Sequence, residues 1–337
     1  MDPVQYFTTA RLVIVAGKGG VGKTTVAATL ANAAARSGLD ALVIDLEGSS
    51  GLPSKFGLDD LAYDDCVLRA RDDDAGHGEI RARRITPDDA LVEYLNEHGL
   101  KRISKRLASS GALDVVATAT PGIKDILVLG KVKQLERSRA ADVIVVDAPA
   151  AGHAITFLQS ARGLVDAVQV GPINSQAADV LELLTDPRRC RVMLVTIGEE
   201  TPVNELVDTA FALEERIGVH LTPVVVNAAL EDLPGLQIDP SAAAKSAGVK
   251  LRRGERKAMA EAAEFHQMRR ALQLSQTERL AEVLPLPQIH LPFCFDDDIG
   301  PDQLDRLADA LLDALAEIDP AAVGLVAHES TATDGTQ

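Results

Sequence analysis

The sequence predicts an α/β fold in three layers, a mostly parallel sheet covered by helices on both faces. Three observations predict it. Short β-branched apolar runs alternate with Ala- and Leu-rich stretches of helical length, the rhythm of successive βαβ units. A Gly-rich turn at residues 17–22 joins the first run to the first helical stretch. The chain has 337 residues, 46% of them hydrophobic, enough for one large α/β domain with insertions or for two small domains. Aromatics are only 3% and Trp is absent, so the core is built from Val, Leu, Ile and Ala.

The elements follow in order. Residues 11–16 (Arg-Leu-Val-Ile-Val-Ala) form a continuous run bounded by Gly, the pattern of a strand buried on both faces. Residues 24–37 read as a helix with Gly38 at its C-terminal cap, and 41–46 as the next buried strand. The rhythm returns with strands at 142–147, 167–170, 191–196, 222–227 and 288–291. Helices between and after them are expected at 152–162, 175–185, 202–217 and 301–318. Two segments break the rhythm and are expected as helical insertions beside the sheet. One is about 58–140, with helices at 87–107 and 123–137. The other is about 228–284, with a charged, helix-rich stretch at 253–284. No internal repeat is visible, so a single domain with one site is expected over 1–337, ending in a polar, disordered tail at 328–337.

Charge narrows the function. The chain carries 34 basic and 50 acidic residues, a net of −16, which disfavours nucleic acid and anionic membrane surfaces as partners. Cys66, Cys190 and Cys294 are scattered, without CxxC spacing, and read as reduced thiols of a cytoplasmic protein. Residues 1–10 lack the pattern of a signal peptide, and no stretch approaches the roughly 20 apolar residues of a membrane span. Six basic residues gather at Lys245, Lys250, Arg252, Arg253, Arg256 and Lys257; they suit a solvated face or an acidic partner.

Gly17-Lys18-Gly19-Gly20-Val21-Gly22-Lys23-Thr24 satisfies G-x-x-x-x-G-K-[ST] between a strand and a helix. Glycines let the backbone N–H groups of Gly17, Gly19, Gly20, Val21 and Gly22 curl around phosphate oxygens. The helix start at Lys23, Thr24 and Thr25 adds free donors and a favourable dipole. Lys23 is expected to neutralise the β- and γ-phosphates, and the Thr24 hydroxyl to ligate Mg²⁺. Asp147 ends an apolar run and is expected to hold Mg²⁺ through water. Asp45 and Glu47 stand at the carboxyl end of the second strand, the ligand-binding edge of an open parallel sheet.

The second lysine, Lys18, gives Gly-Lys-Gly-Gly-x-Gly-Lys-Thr-Thr. This resembles the deviant Walker A motif of the P-loop ATPases that include the arsenite pump (ArsA), the tail-anchored-protein targeting ATPase, the Min and plasmid-partition ATPases and nitrogenase iron protein. The resemblance implies a dimer in which Lys18 reaches the other subunit's nucleotide, and a metal-side Asp45 beside a water-positioning Glu47, where relatives usually carry Asp. Asp147-Ala148-Pro149-Ala150-Ala151-Gly152-His153, with Phe157-Leu158, resembles the Asp-Thr-Ala-Pro-Thr-Gly-His switch of the arsenite-pump and tail-anchor branch. It implies a γ-phosphate contact from the Gly152 N–H, while Ala148 and Ala150 replace hydroxyls. Thr120-Pro121-Gly122-Ile123-Lys124-Asp125 partly resembles a Pro-Gly-Ile-Asp-Glu segment and equally suits an ordinary helix start. Asn227 matches an adenine-side Asn, with residues 292–297 as the opposite wall of the base pocket; no guanine-reading box is present.

The closest resemblance is to the single-domain members found in actinobacteria. It implies an Mg·ATP-dependent hydrolase, homodimeric or paired with a related ATPase subunit, whose turnover reshapes a helical layer that binds a partner or protein client. Three other readings stay open: an ATP-binding regulatory subunit of an envelope-related complex with negligible turnover, an ATP-dependent small-molecule enzyme of the same superfamily, and a chaperone or targeting factor for hydrophobic segments. The client functions do not carry over. Four Met (Met1, Met193, Met259, Met268) do not make a Met-rich groove, and three scattered Cys do not make an arsenite site.

Overall fold

The computed structural model describes residues 1–46, 51–61, 64–97, 122–168 and 170–324. Its frame is one eight-stranded sheet in the order β3-β4-β2-β5-β1-β6-β7-β8. The strands are β1 Leu12–Gly17, β2 Ala41–Asp45, β3 Cys66–Arg69, β4 Ile80–Arg84, β5 Val143–Ala150, β6 Cys190–Ile197, β7 Val224–Ala229 and β8 Gln288–Pro292. All neighbours pair in parallel except β3, which lies antiparallel at the edge against β4.

The central strands are apolar at nearly every position because each face meets a different core. Leu12, Ile14, Leu42, Ile44, Ile144 and Val146 point into one, and Val13, Val15, Val43, Val145 and Val195 into the other. A period-2 backbone with helices on both sides demands this pattern. Helix α1 (Pro3–Thr9) and helix α2 (Lys23–Arg36) belong to the second core, with the short α3 (Leu52–Lys55) beside them. Helices α4 (Pro87–Glu97), α5 (Ile123–Arg137), α6 (Ala151–Ala167), α7 (Pro172–Thr185) and α8 (Glu200–Arg216) form the first. The short α9 (Pro240–Ser246) precedes α10 (Glu255–Val283), whose buried residues are Thr277 and Leu280; α11 (Pro301–Glu317) returns to the second core.

Two findings correct the sequence reading. Segment 58–140 is expected to be helical, yet it adds β3 and β4 to the sheet. Ile80 and Ala82 are buried, while Arg81 pairs with Asp65 and Glu79 and Arg83 with Asp65. Those ion pairs let a strand reading Ile-Arg-Ala-Arg-Arg lie near the edge of the sheet. Residues 167–170 are expected as a strand, but α6 continues to Ala167. Val170 is 83% exposed, so no core residue is needed there. The helix expected at 87–107 is seen to Glu97; its remainder, Glu47 and the 328–337 tail lie outside the described residues. No helix among the described residues is long and apolar enough to cross a membrane.

Candidate functional site: a phosphate cradle at the carboxyl edge of the sheet

β1 lies at the centre of the sheet between β5 and β6, and its carboxyl end opens into the Gly-rich loop. Gly20 and Gly22 adopt φ of +87° and +88°, and Gly22 caps α2 in the left-handed conformation. Two of the glycines are also required by close approach. A Cβ on Gly17 would stand 2.3 Å from the Val195 carbonyl oxygen, and one on Gly22 would stand 2.2 Å from Asn227 Nδ2. The loop is thus pressed against β6 on one side and the end of β7 on the other. Asn227 Nδ2 donates to the Val21 carbonyl at 2.9 Å, fixing the curl that turns N–H groups towards an anion. Helix α2 then begins at Lys23, followed by Thr24 and Thr25.

The carboxylates reach the same edge from neighbouring strands. Asp45 and Asp147 are register partners on β2 and β5, exposed by 1% and 4%. The Thr24 hydroxyl donates to Asp147 Oδ2 at 2.6 Å, which joins the start of α2 to the end of β5. Gly19 approaches Ala150, where a Cβ would meet the Ala150 methyl at 3.9 Å. Gly152, in the first turn of α6, has open space at its Cα. One hydroxyl and two buried carboxylates beside an N–H cradle are the donor set that a phosphate-bound Mg²⁺ takes. The fit with Mg²⁺ and a polyphosphate therefore stands on the geometry.

Three charged side chains reach this edge without a sequence signal. Arg84, ending β4, places Nε 3.5 Å from Asp45 Oδ2 and Nη2 3.0 Å from Asp60. Lys55 is held below the usual lysine range by its partial burial, against the charges of Asp298 and Asp147. Glu205 on α8 takes Lys18, with Nζ to Oε1 at 2.6 Å. The cradle lysine, Lys23, instead points Nζ to the Lys18 carbonyl at 3.5 Å. Gly122 caps α5 at φ +82°, where a Cβ would stand 3.1 Å from that of Ser160 on α6. Asp125, one turn on, feels the charge of His153. Residues 120–121 lie outside the described residues. Beyond Asn227, the expected base wall follows β8: Phe293 and Phe295 pack edge to face at 4.9 Å, and His266 stacks on Phe295. They line a largely apolar cleft of about 450 Å³ with Ala228 and Leu230. The cysteines are unpaired thiols, Cys190 buried and the other two half-buried.

The model of the anion-transporting ATPase family matches residues 10–170, a span that holds the Gly-rich loop, Asp45 and Asp147. ATPase BagA of Mycobacterium tuberculosis is 32% identical over 246 residues, 70% of this chain and 69% of BagA. The chain belongs to the ArsA-type ATPase family. This ArsA-type chain is also similar to the arsenical pump-driving ATPases of Escherichia coli and Acidiphilium multivorum. Each is 27% identical over 222 residues, 65% of this chain and 35% of the relative. The family places an ATP-binding ATPase on the mostly parallel sheet described above. The loop and the strand-end carboxylates were legible as sequence. Arg84, Lys55 and Glu205 were not, because each is brought in from a distant element by tertiary packing.

Proposed function

We propose that the chain binds Mg·ATP in the cradle at Gly17–Thr25 and hydrolyses it as a dimer, the change of nucleotide moving its helical layer. The observation that carries the reading is the Thr24–Asp147 hydrogen bond at the mouth of a loop with no room for side chains at Gly17 and Gly22. Backbone N–H groups of Gly19, Gly20, Val21 and Gly22 hold the phosphates, with Lys23 over the β- and γ-phosphates. Mg²⁺, when bound, spreads the phosphate charge. Thr24 would hold it, with Asp147 and Asp45 as the carboxylates beside it. Thr25 extends the donor row at the start of α2. Asn227 presents its carboxamide to the base.

Glu47, with Asp45, orients a water in line with the γ-phosphorus. The water oxygen bonds to phosphorus, the bond to the β–γ bridging oxygen breaks, and the water's proton ends on the released phosphate. Lys18 of a second copy steadies the charge that develops on the transferred group. The Gly152 N–H holds a γ-oxygen, so loss of phosphate frees the segment between β5 and α6, and α6 carries the change into the first core. Ala148 and Ala150 in place of hydroxyls favour slow turnover.

Mg-dependent phosphate release from the purified chain, alone and as Lys23→Ala, together with its mass in solution with and without ATP, tests this. Turnover should fall on the order of a hundredfold or more in the variant, and ATP should shift the wild type to a dimer. ATP binding without turnover would move the reading to an ATP-binding regulatory subunit.

A further inference from the structure

Within the loop motif, Lys18 carries its charge to a carboxylate on another element. Its carbonyl receives Lys23 Nζ at 3.5 Å, while its own ammonium lies 2.6 Å from Glu205 Oε1. Both partners are half-solvated, with side chains exposed by 35% and 43%. The pairing is geometrically imposed. Gly17, the residue before Lys18, is packed against the Val195 carbonyl of β6, and β6 leads through Gly198 into α8, which carries Glu205 on its second turn. The root of Lys18 and the helix bearing Glu205 are therefore fixed relative to each other.

We infer that Glu205 is an internal latch. It holds Lys18 on its own subunit in the free chain, and assembly exchanges the carboxylate for the nucleotide phosphates of a second copy. The inference rests on the cross-dimer role of Lys18 proposed above and adds a residue and a regulation to it. The exchange is electrostatically favoured, since a triphosphate offers several negative charges against one carboxylate. It is also readily reversed, because a half-exposed ion pair is weak and water-accessible. Glu205 is thus a positioning residue that acts through Lys18. It biases the free chain against assembly, by the few-fold that an exposed ion pair is worth, until a nucleotide is present.

The experiment measures the monomer–dimer dissociation constant of the full chain by sedimentation, with Mg²⁺ and a non-hydrolysable ATP analogue. It compares wild type, Glu205→Gln, Lys18→Ala, the double variant, and Glu215→Gln as a charge-matched control on an exposed position of α8. Removing one latch is worth about two- to fivefold, and two latches open per dimer, so Glu205→Gln should tighten the dimer about four- to twenty-fivefold. The gain should shrink at about 0.5 M salt, where exposed charges are screened. Glu205→Asp should fall between, Glu215→Gln should match wild type, and the double variant should behave as Lys18→Ala, which should not dimerise. If Lys18→Ala is defective but Glu205→Gln binds no tighter than wild type, or no tighter than Glu215→Gln, the latch is wrong while the role of Lys18 stands. If wild type fails to dimerise with the analogue, or Lys18→Ala dimerises as wild type, the cross-subunit reading fails and takes the latch with it.

Discussion

Asp125 shows how a single side chain near the proposed switch is set by its surroundings. Partial burial raises its carboxyl above the ordinary range, and the charge of His153 offsets only part of this. The folded state thus holds the Asp125 proton more tightly than the unfolded chain does. Below the unfolded value both states are protonated and no penalty exists; as pH rises from the unfolded value the unfolded chain gives up the proton first, so stability falls, and the loss is complete once pH has passed the raised folded value. Asp125→Asn should therefore gain nothing near pH 3 and stabilise the chain at pH 7, as urea midpoints at the two values will show. A reversed pH trend would rule out burial as the cause. At this scale the sequence is a good guide only where the chemistry is local. The glycines, Lys23 and Thr24 follow one another in the chain, and their spacing alone demands the cradle. Lys18 belongs to the same motif, yet its partner Glu205 lies 187 residues away, and no local pattern names it.

Elements were legible in proportion to how completely they are buried. β1, β2, β5 and β6 are apolar at nearly every position because helices cover both faces. β4 hides as a charged stretch, its arginines held by ion pairs from Asp65, Glu79 and Asp60, so its strand character emerges only in the folded sheet. The long α10 is the opposite case: its helical sequence is plain, but what docks it is not. Gln273 Nε2 donates to the Ala228 carbonyl at 3.1 Å, and Gln273 Oε1 accepts from the Leu230 N–H at 2.8 Å. One side chain thereby satisfies both backbone groups where β7 ends and Ala228 takes a φ of +54°. Gly198 completes the joint, since a Cβ there would meet Gln273 Cβ at 2.9 Å. Gln273→Leu leaves a donor and an acceptor unpaired and should cost about 1–3 kcal/mol. Denaturant titration checks the size, and faster hydrogen exchange at the Leu230 amide should accompany it.

At the scale of the whole molecule, the two cores share the central sheet and meet at β1, the strand that ends in the phosphate loop. A ligand in the cradle therefore ties together residues from both sides of the sheet: α2 from one core, and the β5–α6 junction leading into the other. Such a ligand should stabilise the chain as a unit. Mg·ATP at a hundred times its dissociation constant should add about 2.7 kcal/mol to unfolding. Lys23→Ala should show no such gain at that concentration. Thermal melts with and without nucleotide check this, and a gain in the variant equal to that of wild type would place the ligand elsewhere. The fold class was legible at this scale because alternation of strands and helices leaves little choice of architecture. The pairing of Lys18 with Glu205 and of Arg84 with Asp45 was not, because both depend on which strands become neighbours.

The hold of Asn227 on the loop has a consequence for nucleotide choice. Its amide nitrogen gives one of its two hydrogens to the Val21 carbonyl at 2.9 Å, which sets the rotation of the carboxamide; if that rotation turns Oδ1 towards the base, the base meets a group that only accepts. Adenine offers an exocyclic amine, a donor, at the position where guanine carries a carbonyl; an acceptor facing that carbonyl would leave two oxygens opposed in a desolvated cleft. The contact that shapes the phosphate cradle would then also be the one that sorts purines. Competition binding with GTP against ATP should find GTP weaker by about tenfold or more. Asn227→Asp should loosen the loop, and with it the phosphate grip, while leaving the preference for adenine in place.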